Sequence, residues 1–147
     1  LQGGESIRVL FVDDDKELSK SANECLNLIG EYKINLVTSA DEASKKLAKG
    51  EYDAIVCDIN MPLISGLDFL KLLRDSGNTI PFIVFTVTED KETVLRAFSL
   101  GANGFVGKYG DPKVVFSTLK KCIDEAVTAK RQQNKHPEVI NHVDDHK

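Results

Sequence analysis

Four stretches of the chain place reactive or ligating side chains directly after short apolar runs. Leu10-Phe11-Val12 leads into Asp13-Asp14-Asp15, Ile55-Val56-Cys57 into Asp58, the run Phe82 to Phe85 into Thr86, and Gly104-Phe105-Val106 into Gly107-Lys108. If those runs are strands of one parallel sheet, several carboxylates, one hydroxyl and one ammonium gather at a single edge. Three or more carboxylates at close quarters repel, and some are pushed toward protonation unless a cation sits among them. Oxygen donors with no His or thiolate nearby point to a hard divalent ion. Mg2+ suits one or two carboxylates combined with phosphate oxygens. Lys108 and Thr86 then have a use, because an ammonium and a hydroxyl facing a metal across a carboxylate can hold the oxygens of a phosphoryl group in transfer. Asp58 is the natural acceptor, since a carboxylate can attack phosphorus to give an aspartyl phosphate.

The elements that must position these groups are legible from the apolar pattern. Short runs rich in Val, Ile and Phe alternate with stretches of helical period, the pattern of repeated βα units with a parallel sheet covered on both faces. Strands are expected at Ile7 to Val12, Ile34 to Val37, Ala54 to Cys57, Phe82 to Phe85 and Gly104 to Val106. Helices are expected at Leu18 to Ile29, Ala43 to Leu47, Leu67 to Leu73, Thr93 to Leu100 and Val114 to Val127. In such a sheet the ligand site lies outside the carboxyl ends of the strands. Ser39 with Glu42 reads as a capping box, Asp111-Pro112 as an N-cap followed by proline in the first turn, and Gly30, Gly50 and Gly101 as left-handed helix ends. A single Asp between strand and helix is ordinarily an N-cap, and that suffices for Asp15 alone. It does not account for three carboxylates.

The chain's 147 residues argue for one domain. Its 41% hydrophobic and 29% charged residues exclude collagen-like, disulfide-scaffold and wholly disordered classes. Nineteen basic against twenty-three acidic side chains give a net charge of −4, which disfavours direct nucleic-acid capture. Cys25, Cys57 and Cys122 are odd in number, far apart and set among apolar residues, so buried free thiols of a reducing compartment are expected. With no apolar run long enough for a membrane span and no signal-peptide pattern, the cytoplasm is the expected location. Leu1 to Glu5 is expected to be a leader foreign to the fold, residues 6–128 the domain, and residues 129–147 a polar helix extension followed by a linker or tail. In that tail His136, His142 and His146 read as part of a disordered segment rather than as a metal site.

With those residues in place, four blocks in register resemble the receiver domain of two-component response regulators, from about Ile7 to Ala126. They are Leu10-Phe11-Val12-Asp13-Asp14-Asp15, Ile55-Val56-Cys57-Asp58-Ile59-Asn60-Met61-Pro62 with Ser65-Gly66, Phe82-Ile83-Val84-Phe85-Thr86, and the segment Gly101 to Lys108. The resemblance implies a flavodoxin-like, doubly wound (βα)5 fold of the α/β class, with a five-stranded parallel sheet ordered 2-1-3-4-5. It implies Asp58 as phosphoacceptor, and Mg2+ held by Asp13, Asp14, Asp58 and the backbone carbonyl of Asn60. Thr86 and Lys108 would bind the phosphoryl group, and Phe105 would be an aromatic switch coupled to Thr86. The implied partner is a sensor histidine kinase or a histidine phosphotransfer protein, and the chain would catalyse only its own phosphoryl transfer and dephosphorylation. Two positions depart from the family pattern. Val87 stands where the family has a small residue after the Thr, narrowing access to Asp58. Tyr109 replaces the Pro that commonly follows the Lys in a cis peptide, and without proline a cis bond is costly.

Three rival readings use the same residues. A Mg2+-dependent phosphohydrolase of the haloacid dehalogenase type also places an Asp nucleophile at a strand end, and Asp13-x-Asp15 superficially resembles its DxD. The Thr or Val expected two residues further on is Glu17 here. A flavodoxin-like mononucleotide binder would need a Ser/Thr/Gly-rich loop after the first strand, and three aspartates there would repel a phosphate. A receiver that binds partners without being phosphorylated typically lacks an acid, the Thr or the Lys, and none is missing.

Overall fold

The computed structural model describes residues 6–135. Residues 1–5 and 136–147, the latter with the three histidines read as part of a disordered tail, lie outside the described residues. Five strands alternate with five helices: β1 (Ile7–Val12), α1 (Lys16–Ile29), β2 (Tyr32–Val37), α2 (Ala40–Lys49), β3 (Ala54–Cys57), α3 (Gly66–Asp75), β4 (Phe82–Thr86), α4 (Lys91–Ser99), β5 (Gly104–Gly107) and α5 (Pro112–Lys135). The strands form one all-parallel sheet in the order β2-β1-β3-β4-β5. The order reverses at β1, so the edge beyond β1 and β3 is the switch point where ligands bind in such sheets.

The strands are nearly continuous hydrophobic runs because both faces are covered, and alternate side chains enter two separate cores. Val9, Phe11, Val56, Ile83 and Phe85 point toward Leu26 of α1 and Phe116, Leu119 and Ile123 of α5. Leu10, Val12, Ile55, Cys57, Phe82 and Val84 point toward Ala43 of α2, Leu67, Phe69 and Leu70 of α3, and Ala97 of α4. Phe85 links the aromatic part of the first core, lying edge-on to Phe11 and tilted against Phe116. Truncating a fully buried Phe or Leu here should cost about 2–5 kcal/mol.

Several sequence expectations are corrected at the element ends. β2 begins at Tyr32 rather than Ile34, because the Tyr32 ring is buried and its hydroxyl donates to Asp124 of α5 at 2.7 Å. Ser39 caps α2 as expected, accepting from Glu42 N–H at 3.1 Å, but the Glu42 carboxylate accepts from Thr38 N–H at 2.9 Å instead of closing on Ser39. Gly30 and Gly50 are extended, since the chain leaves those helices straight; Gly101 alone of the three is left-handed, at φ 105°. Asp111 accepts from Lys113 N–H at 3.0 Å, as an N-cap ahead of Pro112 should. All three cysteines are free, yet only Cys57 is buried, Cys25 and Cys122 being half-exposed on helix flanks.

Candidate functional site

The backbone carries the reactive residues to one edge by ladder hydrogen bonds that run just past the strand ends. Asp13 N–H donates to Val37 O at 3.0 Å, Asp58 N–H to Val12 O at 3.0 Å, and Lys108 N–H to Thr86 O at 2.9 Å. Each side chain is thus fixed by its neighbour strand rather than by a free loop. Asp15, the last of the triple carboxylate, accepts from Leu18 N–H at 3.1 Å and caps α1, so it belongs to the scaffold. Ligand-capable oxygens of Asp13, Asp14 and Asp58 lie within 4.8 Å of one another. Asp13 is 1% exposed and Asp58 7%, whereas Asp14 is open to solvent.

Among the described residues, Lys108 is the one cation paired with these acids. Its Nζ lies 2.7 Å from Asp13 Oδ2 and 3.4 Å from Asp58 Oδ2, and 5.6 Å from the centre of the Phe85 ring. Asp13 Oδ1 accepts from Asp15 N–H at 2.9 Å, so both Asp13 oxygens are engaged. Burial nevertheless raises the Asp13 pKa above the ordinary aspartate value, and the Lys108 hydrogen bond only partly offsets that. Asp58 Oδ1 is buried with no hydrogen-bond partner, and buried polar atoms are rarely left so. Three carboxylates against one ammonium leave two uncompensated negative charges at this edge. The residues therefore fit a hard dication: charge, oxygen donors and one orphaned buried acceptor all match.

Thr86 is fully buried at the end of β4, and its Oγ1 lies 3.4 Å from both Asn60 Nδ2 and Thr88 N. Phe105 pairs with Val84 across β4 and β5 and packs, half-buried, against the second core. Val87 is 45% exposed on the rim. No peptide bond among the described residues is cis; Tyr109 is exposed, and the turn into α5 is made by Gly110 at φ 105°.

Of three further contributors, Gly66 enters the sequence reading only as part of a family block, and Leu63 and Thr88 are not given a role there. Gly66 opens α3 directly against Asp58, and any side chain there would run into the Asp58 carbonyl oxygen. Leu63 adopts φ 71°, a costly value for a non-glycine residue, in a tight turn closed by Ile64 N–H on Pro62 O at 2.8 Å. Thr88 accepts from Asn60 Nδ2 at 3.0 Å across the site.

The fold and the sequence have relatives among known proteins. The chain is 31% identical over 103 residues to Response regulator MprA of Mycobacterium ulcerans, covering 70% of this chain and 44% of that protein. It thus spans less than half the length of the curated relatives it matches. Among solved structures, chemotaxis response regulator CheY4 of Vibrio cholerae superposes with a TM-score of 0.71 at 27% identity, over 80% of this chain and 99% of that one. The receiver domain of Francisella response regulator 1452 does so with a TM-score of 0.77 at 22% identity, over 85% and 99%. Residues 9–120 match the sequence profile of the response regulator receiver domain, and the chain belongs to that family.

Proposed function

We propose that this receiver domain is a phosphorylation-dependent switch in which Asp58 accepts a phosphoryl group from a phosphohistidine of a sensor kinase or phosphotransfer protein. The observation that carries the reading is the buried Asp58 carboxylate, with Oδ1 unpartnered and Oδ2 facing Lys108. Asp13, Asp14, Asp58 and the backbone carbonyl of Asn60 would hold Mg2+, and the ion would supply positive charge against the phosphoryl oxygens. An Asp58 oxygen attacks phosphorus; the P–O bond forms as the P–N bond breaks, and the departing imidazole nitrogen keeps the bonding pair. Lys108 and the Thr86 hydroxyl bind phosphoryl oxygens as their charge develops. When Thr86 turns toward the phosphoryl group, Phe105 rotates into the space behind it, and the surface of α4, β5 and α5 changes. This is a population shift driven by contacts made better in one state.

The receiver unit is taken as residues 6–128, acting in the cytoplasm, with 129–147 as a polar helix extension and a linker or tail. No helix among the described residues is long and apolar enough to cross a membrane. Membership of the receiver family removes the motive for the dehalogenase reading. The test is mass spectrometry after incubation with acetyl phosphate and Mg2+. Wild type should gain one phosphoryl group and Asp58→Asn none. Equal labelling of both would overturn the assignment, and an unlabelled wild type would favour a receiver that binds partners without phosphorylation.

A further inference from the structure

The contacts of Thr86 point to a restraint on the switch that the phosphoacceptor chemistry does not require. Thr86 Oγ1 is buried and meets Asn60 Nδ2 and Thr88 N–H, both at 3.4 Å; no Asp58 oxygen is among its hydrogen-bond partners. Asn60 Nδ2 in turn donates to Thr88 Oγ1 at 3.0 Å, so the carboxamide bridges the loop after β3 and the loop after β4. A threonine hydroxyl both donates and accepts, so the bridge holds for either orientation of the amide.

The loop after β4 is short. Asp90 already caps α4, accepting from Thr93 N–H at 3.0 Å, so only Val87, Thr88 and Glu89 separate Thr86 from the helix cap. The Glu89 side chain lies over Gly107, where any side chain would collide with its carboxylate. Thr88 thus lies two residues from the α4 cap and next to the residue whose side chain lies over β5. We propose that Asn60 and Thr88 are positioning residues that latch Thr86 in an orientation in which its hydroxyl is bonded to them and not to Asp58, so that a phosphoryl group must win the Thr86 hydroxyl from them. The competition is winnable. The latch consists of neutral contacts, two of them long, whereas a phosphoryl oxygen is a charged acceptor whose hydrogen bonds are about twice as strong.

This rests on Asp58 being the phosphoacceptor, and the experiment separates the two ideas. Thr88→Val keeps the branched shape and removes the hydroxyl; Thr88→Ser keeps the hydroxyl. Amide NMR shifts of Phe105 and of Lys91 to Val94 are recorded for each protein, free and with beryllofluoride plus Mg2+. In the free state Thr88→Val should move along the line toward the beryllofluoride-bound wild-type shifts, its ratio of switched to unswitched forms raised about two- to tenfold by loss of one neutral hydrogen bond. Thr88→Ser should stay with wild type, and Thr88→Ala should follow Thr88→Val. If free Thr88→Val retains wild-type shifts at these positions while wild type responds to beryllofluoride, the latch is wrong and the phosphoacceptor reading stands. Absence of any wild-type response would overturn both.

Discussion

The two ends of the sheet solve the same problem of buried polar groups in opposite ways. At the end where the strands begin, no buried side-chain polar atom among the described residues lacks a partner. The Arg74 guanidinium donates to Gly101 O at 2.9 Å, Asn78 O at 2.9 Å and Asn103 Oδ1 at 3.1 Å, tying α3 to the turn before β5. Asp53 Oδ2 accepts from Arg8 N–H at 2.8 Å and lies 3.6 Å from Arg131 of α5. Tyr32 and Lys120 both bind Asp124, and burial plus that carboxylate drive the Tyr32 phenol far above its ordinary pKa. At the end where the strands finish, three acids lie together, two of them share one lysine, and Asp58 Oδ1 has no partner. A fold that satisfies its groups at one end and leaves them short at the other locates its chemistry at the second, because uncompensated burial costs stability that only a bound group restores.

The largest effect expected of breaking this contrast is at the satisfied end. Arg74→Ala strands the Gly101 and Asn78 carbonyls, while Asn103 Oδ1 keeps the Phe82 N–H at 2.8 Å, and it should lower unfolding stability by about 2–4 kcal/mol in urea titration. It should leave the stabilisation by Mg2+ intact, because it touches nothing at the other edge. A loss of the Mg2+ response in Arg74→Ala would mean that the two ends are not separable.

At the unsatisfied end the sign reverses. Asp58→Asn removes one of three crowded carboxylates and gives up only the longer of the two Lys108 pairs, since Asp13 remains at 2.7 Å. In EDTA it should therefore be more stable than wild type, by about 1–2 kcal/mol. Millimolar Mg2+ should raise the melting temperature of wild type by linkage and do much less for Asp58→Asn or Asp14→Asn. Stabilisation absent in EDTA, or an equal Mg2+ response in all three proteins, would show that the cluster is not the frustrated site described.

What could be read from the sequence follows the same division. Strand-borne features were legible, because alternation of apolar runs and helical period fixes which residues stand at a strand's end; Asp13, Asp58, Thr86 and Lys108 are all of that kind. The N-caps Asp15, Ser39 and Asp111 were legible because capping is local in sequence. Features set by loop conformation were not. Thr88 meets Asn60 only because the loops after β3 and β4 fold toward one another, and Gly66 matters only because α3 starts against the Asp58 carbonyl. Gly30 and Gly50 were misread as left-handed because a glycine after a helix permits that conformation without requiring it.

The smallest expected effect comes from a carboxylate that is neither buried nor frustrated. The Glu42 pKa is lowered, first by the hydrogen bond from the Thr38 hydroxyl and then by Thr38 N–H, while the side chain stays in solvent. A carboxylate whose folded pKa lies below its unfolded one binds fewer protons in the folded chain, so its contribution is complete above the unfolded glutamate pKa. That contribution disappears as pH falls through the folded value. Glu42→Gln should thus cost only a few tenths of a kcal/mol at neutral pH, roughly the worth of an exposed helix-end interaction. Stability measured from neutral pH into the acid range should show the two proteins converging as Glu42 protonates. A gap that persisted or widened in acid would mean that the Thr38 contacts depend on the shape of the side chain and not on its charge, and that Glu42 is held as the groups at the satisfied end of the sheet are.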